Sequence, residues 1–191
     1  MDTKLNFQIF KFSNFSTANI LPLLFLMLLS ASCIRPQVKL QKEIKVKESF
    51  LMADTSIIPE RQKANDMIKL YINYADKFQD DTASGTYLFK AGDLAFKVRQ
   101  PAQAVELFGR VQRYPTNQNV AVSLFLQGFI AETELNDKTQ AKKYYESFLQ
   151  KYPQHDLAGD VQITLANLGK SDEELVREFE EKLKAQEEAA R

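Results

Sequence analysis

Residues 144–156 read YYESFLQKYPQHD, and residues 106–117 read ELFGRVQRYPTN. Both stretches space aromatic and aliphatic residues three or four positions apart, as on one face of an α-helix, and both then reach Tyr-Pro. Proline has no backbone N–H and keeps the residue before it out of the α region, so each Tyr-Pro pair predicts the end of a helix. A weaker copy, LYINYADKFQDD, lies at residues 70–81, where Gln79 stands in place of the proline. The chain therefore repeats one helical pattern three times.

The matching positions of the copies lie a nearly constant distance apart. The spacings are 36 residues from Gly92 to Gly128, 37 from Ala104 to Ala141 and 38 from Pro115 to Pro153. A period in this range that contains two helices is typical of a helical solenoid. We expect the glycine of the first helix to let the second helix approach closely, with Phe108 or Tyr145 filling the space between them.

Apolar residues recur at helical spacing from Pro59 onward, and no segment alternates with the two-residue period of a strand. Turn-forming residues predict a loop at 80–85. Further helices are predicted at residues 118–134, 138–151 and 156–168. The expected fold class is therefore all-α: a short right-handed α-solenoid of helix pairs over residues 59–170, followed by a charged capping helix over residues 171–191.

The capping helix is predicted from its first turn and from its polarity. Ser171 and Glu174 have the spacing of a capping box, and Leu175, Phe179 and Leu183 make a narrow apolar stripe among charged residues. The open end of a solenoid needs a polar-faced cover, so we expect this helix to cap the last repeat. The alternative is a short helix that binds a partner.

These features resemble the tetratricopeptide repeat over residues 60–170. The branch that they resemble is found in bacterial envelope proteins, such as the Tol-Pal-associated coordinator and the lipoprotein of the outer-membrane β-barrel assembly machine. Leu88 and Leu124 stand where the repeat usually has tryptophan in its first helix, and Gln127 replaces a small or apolar residue. The resemblance implies that the first helices of the pairs form a concave surface that holds a partner protein.

Four phenylalanines and two acidic residues are placed on this surface by the alignment of the repeats. They are Phe89, Asp93, Phe96, Phe125, Phe129 and Glu132. If the phenylalanines are open to solvent, they form a groove for a peptide. The alternative is that neighbouring helices bury them, because aromatic residues at helical spacing are usually core residues.

Residues 1–32 are predicted to be a signal peptide. Two lysines precede an apolar run at residues 20–29, and small residues follow it. The run is about half the length that a membrane-spanning helix needs. Ser-Ala-Ser-Cys at residues 30–33 resembles the lipobox of bacterial lipoproteins, although leucine is usual at the position of Ser30. We therefore expect Cys33 to be lipidated and to hold the chain at a membrane.

Residues 33–58 alternate lysines with valine, isoleucine and leucine, without a helical period. We interpret them as a lipid-proximal tether, with a short strand or helix docked on the repeats as the alternative. Lys42, Lys45 and Lys47 are too few charges to predict binding to a membrane surface. Because Ile34 follows the cysteine, where an aspartate would favour inner-membrane retention, we expect an outer-membrane anchor that faces the periplasm.

The composition argues against several other classes of protein. The chain has 25 basic and 25 acidic residues, so it lacks the basic excess of a nucleic-acid-binding protein. His155 is the single histidine and Cys33 the single cysteine, and the sequence contains no metal-ligand cluster, nucleophile elbow or phosphate loop. The sequence therefore predicts no enzyme activity, no cofactor, no metal and no small-molecule substrate.

The predicted function is that of a non-catalytic scaffold of the bacterial cell envelope. The scaffold is expected to be lipid-anchored through Cys33 and to bind an envelope protein or peptide on its concave face. The alternative is an accessory or carbohydrate-binding module of an envelope enzyme complex. The sequence lacks a polar-aromatic platform for sugars, which disfavours that alternative.

Overall fold

The computed structural model describes residues 35–53 and 60–190 of the chain. Its regular structure within these ranges is entirely helical, and the predicted all-α fold is confirmed. The helices are α1 (Pro36–Ala53), α2 (Arg61–Lys77), α3 (Thr82–Lys97), α4 (Pro101–Val111), α5 (Val120–Thr133), α6 (Lys138–Lys151), α7 (Ala158–Asn167) and α8 (Asp172–Ala189). From α2 to α7 each helix packs on the next, as the helix pairs of a repeat solenoid do.

A close contact between a glycine and an aromatic ring joins the two helices of each central pair, as the sequence predicts. A Cβ atom on Gly92 of α3 would lie 2.9 Å from the Cδ1 ring atom of Phe108 on α4. A Cβ atom on Gly128 of α5 would lie 2.6 Å from Cε1 of Tyr145 on α6. Both rings are fully buried and cannot easily move aside. The helix separation in each pair therefore depends on glycine.

The turn inside each pair also repeats. Arg99 follows α3 with a φ angle of 61°, and Asn136 follows α5 with a φ angle of 50°. These two left-handed residues are 37 positions apart. The second helix then starts with Pro101 in one pair. In the other pair it starts after Asp137, whose side chain accepts a hydrogen bond from the N–H of Gln140. Two different helix-start residues thus serve the same point in the repeat.

The Tyr-Pro pairs lie where the second helices end. The helix α6 ends at Lys151, and the N–H of Tyr152 donates to the carbonyl of Phe148. The helix α4 ends earlier than predicted, at Val111, and the N–H of Tyr114 closes one further turn onto the Val111 carbonyl at 2.9 Å. Both tyrosines are partly buried against the core. They therefore pack the repeat as well as marking its end.

The loop predicted at residues 80–85 is confirmed for 80–81 and wrong for 82–85, because α3 begins at Thr82. Asp81 is the N-cap of this helix, and its side chain accepts a hydrogen bond at 3.0 Å from the backbone N–H two residues later. Gly85 lies inside the helix, where an added Cβ would be 2.9 Å from the Cβ of Tyr114. The turn-forming residues in this stretch serve capping and close packing, which use the same residue types as loops.

The tether predicted over residues 33–58 is wrong for Pro36–Ala53, which form α1. Ile44 is buried in the core that α2 and α3 share, and Leu40 and Leu51 pack against that core. The structure thus has the alternative arrangement, a docked helix. Lysines and valines fill the other side of α1 and obscure the spacing of this apolar row in the sequence.

Hydrogen bonds hold α1 on its two neighbours. The Nε2 of Gln41 donates to the hydroxyl of Tyr74 at 2.7 Å. The Glu48 carboxylate accepts from the hydroxyl of Tyr71 and from the Nζ of Lys90, each at 2.7 Å. Because α2 carries the weak copy of the second-helix pattern, α1 stands in the chain where the first helix of that pair belongs.

The C-terminal helix α8 begins as predicted but makes few contacts. Ser171 and Glu174 form a capping box, in which each side chain bonds the backbone N–H of the other residue. None of the side chains of α8 is buried, and Phe179 is 68% exposed. A salt bridge of 2.7 Å joins Lys170, just before the helix, to Glu178. With no buried side chain in α8, its role as a cap stays a prediction.

Gly128→Ala is expected to lower the free energy of unfolding by about 1–3 kcal/mol, because its methyl group meets the ring of Tyr145. Gly159 of α7 is the matched control, since a Cβ there meets no atom within 4 Å. Gly159→Ala should be neutral or should stabilise by up to about 1 kcal/mol, because alanine favours helix. Urea unfolding followed by circular dichroism measures both values. Equal effects of the two substitutions would contradict the close contact.

Ending the chain after Lys170 removes α8 and should change the free energy of unfolding by less than about 0.5 kcal/mol, because no buried side chain is lost. Ending the chain after Pro153 is the control, since this also removes α7, in which Ala158 and Val161 are buried. The shorter chain should melt at a distinctly lower temperature. If the first truncation alone caused a comparable loss, α8 would be a cap after all.

Candidate partner-binding surface

The six residues predicted for the partner surface lie on α3 and α5, three on each helix. The stripe on α3 is Phe89, Asp93 and Phe96, and the stripe on α5 is Phe125, Phe129 and Glu132. Within each stripe the spacing is i, i+4 and i+7, so the three side chains share one face of the helix. The stripes correspond position by position, 36 residues apart. Residues that are alike at equivalent positions serve the repeat itself, and residues that differ are particular to one repeat.

Phe89 and Phe125 are equivalent residues, and both pack inward. The ring centroid of Phe89 lies 5.4 Å from that of Phe108. The ring centroid of Phe125 lies 6.2 Å from that of Tyr145. Both phenylalanines are partly buried against the core. They support the aromatic ring that sits on the glycine, so they belong to the construction of the repeat.

Phe96 and Phe129 have no aromatic equivalents, since Glu132 and Asp93 occupy the corresponding positions. Their rings meet edge to face with centroids 6.3 Å apart, which joins α3 to α5. Phe129 also lies 6.3 Å from the ring of Phe125. Phe96 is partly buried, whereas Phe129 is 36% exposed. The Phe96–Phe129 pair is therefore an apolar surface that spans two neighbouring helix pairs.

The two carboxylates of the stripes already have partners on their own repeat. Asp93 forms a salt bridge of 2.8 Å with Lys97, one turn further along α3. Glu132 accepts a hydrogen bond of 2.8 Å from the hydroxyl of Tyr145. Burial and this hydrogen bond raise the pKa of Tyr145, so its hydroxyl stays protonated and continues to donate. Glu132 thus fixes the aromatic residue that contacts Gly128, in addition to lining the surface.

Gln127, which replaces a small or apolar residue of the repeat, has a structural role. Its side chain is buried, and its Nε2 donates to the carbonyl of Val105 on α4 at 3.1 Å. Nearby, the Nε2 of Gln112 donates to the hydroxyl of Ser123 at 2.9 Å. The junction between α4 and α5 is therefore held partly by side-chain hydrogen bonds, one of them from a position where the repeat usually has a small or apolar residue.

Sequence reasoning missed a polar and aromatic cluster where α1 meets α2 and α3. The rings of Tyr71 and Tyr87 stack with centroids 5.6 Å apart, and Lys90 lies 5.9 Å from the centre of the Tyr87 ring. Burial and the hydrogen bond to Glu48 raise the pKa of Tyr71. The cluster was not predictable without α1, which supplies Glu48. Tyr71 and Lys90 both donate hydrogen bonds to Glu48, so the cluster holds α1 on α2 and α3.

The remaining candidate residues have structural roles or lie outside the described chain. His155 accepts a hydrogen bond of 3.1 Å at its Nδ1 from the N–H of Leu157, and its ring lies edge-on to Phe148. It helps to start α7. Cys33 and the predicted signal peptide lie outside the described residues. Within residues 35–53 and 60–190, no group of three or more His, Cys, Asp or Glu residues is placed to hold a metal ion.

None of the helices in the described ranges has both the length and the apolar character that crossing a membrane requires. The helix α5 has the most apolar sequence of these, and at 14 residues it is too short. Its apolar side chains serve the contacts with α4 and α6.

The chain was compared with known protein families. The sequence profile of the tetratricopeptide repeat matches residues 122–155, from the first turn of α5 to the loop after α6. The matched segment includes the contact between Gly128 and Tyr145, the exposed Phe129 and the Tyr-Pro pair. A search of curated protein sequences finds no match to this chain. The chain therefore contains a tetratricopeptide repeat, a structure that generally mediates protein–protein interaction.

Proposed function

We propose that this chain is a non-catalytic scaffold that binds a protein or peptide through the Phe96–Phe129 pair. The main support is that Phe129 is exposed within the segment that matches the repeat. Its equivalent in the preceding repeat is Asp93, so the aromatic residue is particular to this repeat. Nothing in the construction of the repeat requires an aromatic residue at this position. An apolar side chain of a partner that covers Phe129 removes apolar surface from water, which favours binding.

The surroundings of the Phe96–Phe129 pair favour a partner segment with an apolar anchor and hydrogen-bond donors beside it. Asp93 and Glu132 lie on the same two helix faces, and each carboxylate has accepting capacity beyond its single partner in the repeat. A peptide or helix laid across α3 and α5 would bury its anchor between the phenylalanines.

The scaffold belongs to the bacterial cell envelope in this proposal, anchored by lipid on Cys33. Support comes from the Ser-Ala-Ser-Cys sequence at the end of the apolar run and from the likeness of the repeats to those of envelope proteins. A thioether-linked diacylglycerol and an N-acyl chain give the stable anchoring that a single acyl chain does not. Ile34, next to the cysteine, supports the outer membrane, with the repeats facing the periplasm.

Partner binding is tested by measuring melting and capture on the same variants. Phe129→Ser should lower the free energy of unfolding by only about 1 kcal/mol, since the ring is partly solvated and loses two aromatic contacts. After cross-linking in cells, affinity capture and quantitative mass spectrometry should show loss of the proteins that the wild type enriches. Phe148→Ala is the core control, because its ring is fully buried; it should cost about 3–5 kcal/mol.

Ile163→Ser is the matched surface control. Ile163 is an apolar residue like Phe129, and its exposed fraction of 63% is larger. It lies on α7, away from the Phe96–Phe129 pair. This variant should keep both its melting temperature and its captured proteins. Intact capture by a folded Phe129→Ser variant would remove the Phe96–Phe129 pair as the binding surface, and capture lost only on deletion of α8 would assign it to that helix.

The lipid anchor is tested by growth with labelled palmitate. The wild type should incorporate the label and remain with the membrane fraction, whereas Cys33→Ser should incorporate none, because the thiol is the acceptor for the diacylglycerol. Cys33→Ala is the second control, since it removes the hydroxyl that serine introduces. Equal labelling of the wild type and both variants, or labelling of none, would refute the anchor.

A further inference from the structure

One side of α1 carries exposed apolar and basic side chains, and Phe50 at its end also borders a cleft that Lys63, Asp66 and Met67 of α2 line. With about 100° between successive residues, Lys42 and Val46 point away from the buried Ile44, and Phe50 continues the same row one turn later. Lys45 lies beside this row. All four side chains are exposed, Val46 at 55% and Phe50 at 73%. We call these four residues the outer face of α1.

The acidic side chains of α1 do not cancel the charge of this face. Glu48 is turned inward, where it accepts hydrogen bonds from Tyr71 and Lys90. Glu43 pairs with Lys47 at 3.7 Å. Lys42 and Lys45 therefore give the outer face a positive charge, next to two apolar side chains. Basic side chains next to a membrane are attracted to anionic lipids, and apolar side chains beside them gain free energy by leaving water for the boundary below the headgroups.

The chain between Cys33 and α1 is short. The helix begins at Pro36, so only residues 34 and 35 intervene. Even a fully extended chain spans at most about 3.6 Å per residue, so the start of α1 lies within roughly 11 Å of the Cys33 Cα. A lipid on Cys33 would hold the start of α1 close to the headgroups. No free tether separates the two, because the expected tether is itself α1.

We propose that the outer face of α1 lies on the surface of the bilayer that holds the lipid of Cys33. Lys42 and Lys45 contact the phosphate groups of anionic lipids, and Val46 and Phe50 enter the boundary between headgroups and acyl chains. This inference rests on the lipid anchor of the proposed function. Because α1 is bonded to α2 and α3, such contact holds the repeats against the membrane in one orientation, where a tether would let them move away.

The test uses tryptophan fluorescence, since the chain contains no tryptophan. The lipidated full-length Phe50→Trp variant is reconstituted into vesicles of phosphatidylethanolamine and phosphatidylglycerol. Its tryptophan emission should lie at a shorter wavelength than that of the same protein in detergent-free buffer after removal of the lipid. Vesicles with brominated acyl chains should quench the emission. Phe179→Trp is the matched control, because Phe179 is similarly exposed but lies on the acidic helix α8. Its emission should stay that of a solvated indole.

A charge reversal tests the role of the lysines. Lys42→Glu and Lys45→Glu, introduced together into the Phe50→Trp variant, should reduce the quenching by brominated lipid roughly twofold or more, since two attractive charges become repulsive. Circular dichroism and the melting temperature should not change, because both lysines are exposed. Unchanged quenching would show that the lysines do not hold the face to the membrane.

Failure of this inference is distinguishable from failure of the anchor. Intact-protein mass spectrometry reports whether the lipid is present on the protein used. A lipidated Phe50→Trp variant with solvated, unquenched emission would overturn membrane contact and leave the anchor standing. A shifted emission without quenching would mean that protein, such as a second copy of the chain, covers Phe50, which also overturns it. Absence of the lipid would refute the anchor itself.

Discussion

The contact between a glycine and an aromatic ring sets the dimensions of this fold. Phe108 lies on Gly92 and Tyr145 lies on Gly128 so closely that a methyl group would not fit. Because a buried ring cannot move aside, it fixes the distance between the two helices of each pair. It also fixes how their solvent-facing sides are oriented. In the later repeat the ring also has a hydroxyl, which reaches Glu132 and connects the core contact to the candidate surface.

The junction between the two central repeats combines apolar packing with side-chain hydrogen bonds. Gln127 and Gln112 make side-chain hydrogen bonds between α5 and α4 with its C-cap residue, and Ile130 of α5 is buried in the same apolar core as α4. Phe96 and Phe129 meet across the same junction between repeats, on the outside. A partner that covers this pair would contact both repeats at once. Binding would then restrain the junction, in addition to burying the exposed ring.

The sequence was informative where the repeat imposes one residue type, and less so elsewhere. Gly128, its aromatic partner and the Tyr-Pro ending were predictable because each recurs at the same position of the repeat and has a steric reason there. The helix α1 was missed, since its apolar row contains one buried residue among lysines and valines. Whether a phenylalanine was core or surface was not predictable. Phe125 and Phe129 share a helix face, and only the adjacent helices decide how much of each ring they cover.

The helix α3 connects the two surfaces for which roles are proposed. Its Lys90 bonds Glu48 of α1, and one to two turns later its Phe96 contacts Phe129. Ile44 is the one buried side chain among residues 35–51, so α1 depends on its polar contacts for a fixed position. Hydrogen bonds to a charged acceptor are the stronger kind, and Glu48 makes two. If the lipid of Cys33 holds α1 on a membrane, the hydrogen bond between Glu48 and Lys90 also restricts the orientation of α3. The Phe96–Phe129 pair is then held in a fixed orientation to the membrane.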